Sequence, residues 1–206
     1  MARNTAPKGK VVRRFGTNLF GNPKFDRLLA KRANPPGQHG AMKTRKKVSE
    51  YGQQLVEKQK LKFIYGLHER QFRGYFQRAL KQEGITGDNL MVLLETRLDN
   101  VVYRLGFAPT REASRQLVLH GHIKVNHRRV NIPSCAVRGG DEITLKDSGR
   151  SHALVRRHLE VTVSRDVPQW LLTHKEQLRG QVVRKPLGSE IPRVANEQLV
   201  VELYSK

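Results

Sequence analysis

Cysteine occurs once, at Cys135. A single thiol excludes an internal disulfide and a cysteine zinc cluster, and it fits a reducing compartment. Without a His/Asp signature beside it, Cys135 reads as a small, semi-buried hydrophobe. No apolar run approaches the ~18 residues of a bilayer-spanning helix. The opening "MARNTAPKGKVVRR" lacks the apolar centre of a signal peptide, so no secretion signal is expected. The phosphate-binding GxxxxGK[ST], the nucleophile GxSxG and the zinc-protease HExxH patterns are missing as well. The eight histidines are scattered, and His120 and His122 straddle a helix break, poor spacing for a metal. No catalytic residue, metal or cofactor is expected.

Acidic residues are also scarce: 18 Asp and Glu stand against 39 Lys and Arg, a net charge of +21. Such an imbalance favours a polyanionic partner, and nucleic acid fits it better than a membrane surface. The charge is uneven. Residues 1–50 hold 13 bases and 2 acids, in a stretch rich in Gly, Pro and Asn. Little in this arm can bury a core, so by itself it should be poorly ordered and fold on RNA. Phe15, Leu19, Phe20 and Phe25 would anchor it to a partner.

Residues 49–83 read as at least two helices. Leu61, Ile64, Tyr65, His68, Phe72 and Phe76 fall at spacings of three and four. Tyr65, Phe72 and Tyr75 fit core positions better than base-stacking ones. "GITGDN" at 84–89 is a break, with Asp88 or Asn89 expected to cap a single helix over 90–105. Arg97, Asn100 and Arg104 share one of its faces.

Thr110 is expected to cap a short helix that Gly121 stops. Arg111 and Arg115 should point together, away from its apolar side. Residues 122–132 then alternate, with a tight turn at Asn126–His127, and "RGGDEITL" makes a second turn and strand. A helix N-terminus, two fork-shaped guanidinium groups and the cations Lys124, Arg128 and Arg129 would converge on one surface. That combination suits phosphate oxygens. Trp170 offers an anchor in "VPQWLL", "EQLRGQVVRKPLGSEIP" reads as turns, and "NEQLVVELYSK" reads as a strand or docked tail.

Five blocks carry a resemblance over nearly the whole chain: "PPGQHG" (35–40), "EKQKLKFIYGLHERQFRGYF" (57–76), "RLDNVVYRLGF" (97–107), "TREASRQLVLHGHIKVN" (110–126) and "NEQLVVELYSK" (196–206). The chain resembles the family of bacterial-type small-subunit ribosomal protein S-four. The resemblance implies an α+β fold. A basic extended arm (1–48) would precede a discontinuous helical domain with the C-terminal tail (49–89 plus 164–206). A small RNA-binding module (90–163), two helices on a small antiparallel sheet, would be inserted in that domain. It implies a structural component of the small ribosomal subunit that binds 5′-domain rRNA early in assembly. The same resemblance implies a place near the channel where messenger enters, beside the third and fifth small-subunit proteins. A part in translational accuracy and repression of its own messenger are further implications. The protein would be a monomer within a cytoplasmic or plastid ribosome.

Candidate RNA-contacting residues in the arm are Arg3, Lys8, Lys10, Arg13, Arg14, Gln38, His39, Lys43, Arg45, Lys46 and Lys47. In the helical segment they are Lys58, Lys60, Lys62, Arg70 and Arg73. In the module they are Arg97, Arg104, Thr110, Arg111, Arg115, Gln116, His122, Lys124, Asn126, Arg128 and Arg129. Two departures stand out. The arm lacks the four cysteines with which some relatives bind zinc. The turn usually written Val-Asn-Gly reads Val125-Asn126-His127 here. The alternatives are a free RNA chaperone or an RNA-modifying enzyme sharing the module. Arg97-Leu98-Asp99 echoes a synthase "RLD", but a helix-surface ion pair explains Asp99 more simply.

Overall fold

A computed structural model describes residues 6–40, 49–163 and 165–205. Arg3, Lys43, Arg45, Lys46 and Lys47 lie outside the described residues. The chain forms two compact units, residues 1–77 with 193–206, and residues 78–192.

In the first unit, α1 (Lys8–Phe15) and α2 (Pro23–Lys31) occupy the segment expected to be extended. Local signals explain the difference. Gly16 ends α1 in the left-handed region, at φ 68°. Asn22 caps α2 by accepting from the Lys24 N–H at 2.9 Å, and Pro23 opens the helix. The arm's aromatics pack within the unit, Phe15 against Phe63 and Phe20 against Phe25. The helical stretch divides as expected, into α3 (Glu50–Ile64), capped by Ser49, and α4 (Glu69–Leu80). Tyr65, Phe72 and Tyr75 are buried.

The final segment, read as a strand or a docked tail, is a helix packed on its unit, α9 (Glu197–Ser205). Val200 is fully buried, and Tyr204 stacks on Phe76 with ring centroids 4.6 Å apart. Gln54 of α3 donates to Glu202 at 3.1 Å, and the Tyr204 hydroxyl donates to Glu69 at 2.8 Å. Helical spacing alone lets Val200 and Tyr204 meet one surface.

The second unit holds α5 (Thr86–Glu95), α6 (Leu98–Arg104), α7 (Arg111–Leu119), α8 (Gly149–Val161) and five strands. These are β1 (Ile123–Val125), β2 (Arg128–Arg129), β3 (Glu142–Leu145), β4 (Leu171–His174) and β5 (Arg179–Val182). All pairs are antiparallel, in the order β2-β1-β3-β5-β4. The helix expected over 90–105 starts earlier and breaks. Asp88 sits in the first turn of α5 instead of capping it. At the break, Arg97 is extended and bridges Ala136, while Leu98 N–H and Asp99 N–H donate to Cys135 and Pro133 carbonyls at 2.8 and 3.1 Å. The passing 133–136 segment thus satisfies the donors that a new helix start leaves open.

The core of this unit runs from Leu98, Val102 and Leu105 through Leu117 and Val118 to Ile123, Ile143 and Leu145. Trp170, at 1% exposure, closes it, and Cys135 packs at its margin. The strands β4 and β5 come from a stretch that had read as an anchor followed by turns.

Candidate nucleic-acid interface

Several expected cations are held inside the protein. The Arg97 guanidinium makes a paired contact with Asp99, Nε to Oδ1 at 3.0 Å and Nη2 to Oδ2 at 2.6 Å. Both residues are buried, so the ion pair read as a surface feature is interior. Arg115 is only 7% exposed, a correction to the outward pair expected of Arg111 and Arg115. In the first unit, Lys58 and Lys62 both reach Glu69, at 2.7 and 3.3 Å, and Lys60 reaches Glu57 at 2.7 Å. Arg13 donates to the Asn34 and Pro35 carbonyls, and Lys8 and Arg14 lie over the Phe20 and Phe15 rings. Lys10, Gln38, His39, Arg70 and Arg73 are exposed.

A second group surrounds Tyr103. Arg111 and Arg165 place their guanidinium carbons 4.5 and 4.1 Å from its ring centroid. Arg165 also donates to the carbonyls of Tyr103, Ala108 and Pro109 at 2.9–3.0 Å, tying down the loop before α7. Burial pushes the Arg165 guanidinium below its ordinary value, and Arg111 and Arg104 push it the same way. One buried acid compensates. Glu95 accepts from Arg104 at 2.8 and 2.9 Å and from the Asn100 amide at 2.8 Å. Asn100 Oδ1 in turn accepts from Arg111 Nε at 2.9 Å. Arg104 and Arg111 share that one carboxylate and Arg165 stands on the same tyrosine ring, which leaves excess positive charge at the entrance to α7. Thr110 caps that helix as expected, accepting from the Ala113 N–H at 3.2 Å.

The third group is the most open. His120 and Gln116 are exposed at the end of α7, and Gly121 turns the chain at φ 68°. His122 follows, its Nδ1 2.8 Å from the Ser151 hydroxyl. The His120 and His122 rings lie 6.1 Å apart. Arg129 crosses from β2 and donates to the His120 carbonyl at 3.4 Å. Burial pushes His122 below its ordinary value, and then His120, Lys146, Arg129 and Arg150 push further, all of them bases. Arg128, Arg129, Lys146 and Arg150 are exposed. Five short segments therefore deliver like charge to one corner. Such an arrangement repels itself until an anion arrives.

The Asn126–His127 turn has positive φ at both positions, 47° and 66°, as a two-residue hairpin of the I′ kind requires. Asn126 braces it, donating to Asp141 Oδ1 at 2.8 Å and accepting from the Glu142 N–H at 2.9 Å. Lys124 pairs with Asp147 beside it.

Tyr103, His120, Lys146, Arg150 and Arg165 were not among the sequence candidates. The run "LKDSGRSH" carries a visible signal in Lys146 and Arg150. Nothing local marks Arg165, which acts from about 60 residues downstream. Among the described residues no helix is long and apolar enough to cross a membrane, and no group of three or more His, Cys, Asp or Glu could hold a metal ion.

Residues 3–95 match the family model "Ribosomal protein S4/S9 N-terminal domain", and residues 96–143 match the "S4 domain". The class is therefore that of ribosomal proteins carrying an S4-type RNA-binding module. Small ribosomal subunit protein uS4 of Borrelia recurrentis is 51% identical over 207 residues, covering 100% of this chain and 99% of that one. The protein of the same name from Akkermansia muciniphila is 52% identical over 206 residues, covering both chains completely. That from Borrelia hermsii is 51% identical, with 100% and 99% covered. The chain belongs to the uS4 family, structural and non-enzymatic components of the small ribosomal subunit.

Proposed function

We propose that this protein binds the 5′ domain of small-subunit rRNA directly and holds a multi-helix junction during assembly. The observation carrying the reading is the corner where His120, His122, Arg129, Lys146 and Arg150 gather. Phosphate contacts there release counterions, which supplies much of the affinity. Shape and unpaired bases supply specificity, since side chains cannot read the deep groove of an RNA duplex.

Arg104, Arg111 and Thr110 act at the α7 entrance. Gln116, Lys124, Asn126 and Arg128 extend the corner. Lys8, Lys10, Arg13, Arg14, Gln38, His39, Arg70 and Arg73 serve the arm and the helical unit, together with Lys58, Lys60 and Lys62. Arg97 and Arg115 act by holding the module's shape, as their burial suits. The same proposal includes a place beside the third and fifth small-subunit proteins near the channel where messenger enters, a part in translational accuracy and repression of the protein's own messenger.

The test is binding to a 5′-domain transcript across a salt series, with excess tRNA as competitor. Tight binding that survives tRNA, and that Lys146→Ala with Arg150→Ala weakens, is the expected result. Binding abolished by tRNA would overturn shape-specific recognition and leave a generic polycation.

A further inference from the structure

The register of the sheet lines up one row of side chains across all five strands. Arg129 stands opposite Lys124, Lys124 opposite Thr144, Thr144 opposite Arg179, and Arg179 opposite His174. Directly opposed residues share a face. This face is the one turned from the core, because Ile143, Leu145 and Val182 alternate to the other side and are buried. Four of the five members are bases. With strands ~4.8 Å apart, the row is about 19 Å long.

Two acids touch the row. Asp147 pairs with Lys124, and Glu142 pairs with Arg179 while lying 3.8 Å from His127. Asp147 and Arg179 are well exposed, and such surface pairs are weak enough to exchange for a phosphate. The row holds no Phe, Tyr or Trp on which a base could stack, so it suits backbone and not base recognition. It begins at Arg129, which also belongs to the His120–His122 corner. Its far end, Arg179 and His174, comes from β5 and β4, outside the residues that match the S4 domain model.

We propose that the open face of the sheet is a second RNA contact, a track for the sugar–phosphate backbone of a strand leaving the corner, with Arg179 and His174 as its far end. The inference rests on the RNA-binding reading of that corner. Charge complementarity and continuity with the corner select the occupant. The corner grips a folded junction, and the track holds one strand for two or three phosphates beyond it without regard to sequence.

The test uses the full chain and the 5′-domain transcript. Three variants are compared over a salt series: Arg179→Gln with His174→Gln, Thr144→Glu, and the corner pair Lys146→Ala with Arg150→Ala. Thr144→Glu puts an acid between Lys124 and Arg179 on the face turned from the core; thermal melts check that each variant folds. The first variant should lower the log–log salt slope by about 0.7 per phosphate lost and weaken binding about 3- to 10-fold at low salt. Thr144→Glu should weaken it at least as much. A fourth variant, Gln181→Lys on the same face, should tighten it about 2-fold. Sheet variants that bind with unchanged slope and affinity, beside a weakened corner variant, would overturn the track and point to an acidic protein neighbour for this face. An unchanged corner variant would overturn the RNA reading of the corner, and the track with it.

Discussion

Glu95 is 1% exposed and answers for two guanidinium groups directly, Arg104 at 2.8 Å and Arg111 at 4.0 Å. Glu95→Ala would strand both in a site with little water. Breaking a buried pair by removing one partner costs about 3–5 kcal/mol. The two arginine side chains keep 16–17% of their surface, which allows partial rehydration and favours the lower end, about 3 kcal/mol. For a unit of roughly 115 residues each kcal/mol moves Tm by about 3–5 °C, so the melt should fall by about 10–15 °C. Glu95→Gln keeps an acceptor for Asn100 and loses only charge, for about 1–2 kcal/mol. Arg104→Met in the Glu95→Ala background should recover at least about 1 kcal/mol, as a coupled pair does. Trp170 is the chain's single tryptophan and lies in this unit's core, so its fluorescence during urea unfolding reports the loss. A loss below about 1 kcal/mol for Glu95→Ala would refute the assignment of Glu95 as the charge that holds the arginine group together.

Other consequences can be measured on the same protein. His127→Gly should stabilise the second unit by about 0.5–1 kcal/mol, because a non-glycine residue is costly in the left-handed region; a lower urea midpoint would show that His127 is held there by its contact with Glu142. Glu69 is pushed up by burial, but hydrogen bonds from Lys58, Tyr204 and Lys62 outweigh that and hold its carboxyl below the ordinary range. Its contribution is therefore complete above pH 4.5, the ordinary value, and fades as pH falls through the lower folded value. Tyr204→Phe should cost about 1 kcal/mol at pH 7 and less in acid, and an equal cost at pH 3 and pH 7 would contradict the link. A phosphate at the corner offsets the bases that hold His122 low, so RNA binding should take up a proton and tighten about 2- to 5-fold from pH 8 to pH 6. His122→Gln should flatten that profile, and an unaltered profile would remove His122 from the contact.

Cues lying within a few residues of what they specify were legible. Thr110 is the acceptor of a side-chain cap, Gly121 stops a helix, and Asn126–His127 makes a turn. Each outcome depends on one backbone conformation and a neighbour close in sequence. Cues that compete were misread. Leu199, Val201 and Leu203 alternate, yet Val200 and Tyr204 are the residues that meet α3 and α4. Arg115 looked free on a helical wheel, but a wheel shows only one helix and not what covers it. The break at Arg97 depends on donors being met from residues 133–136, which no local window contains.

The sequence by itself determined the polyanionic partner, the α+β class and the family, because charge, periodicity and dense local motifs survive without a folded frame. Only the tertiary structure decided which cations face solvent. Arg97 and Arg115 are buried. Lys146, Arg150, Arg179 and His174 stand outside. The physical reason is that a cation's role follows from its nearest opposite charge and its access to water, and both are set by segments far apart in the chain.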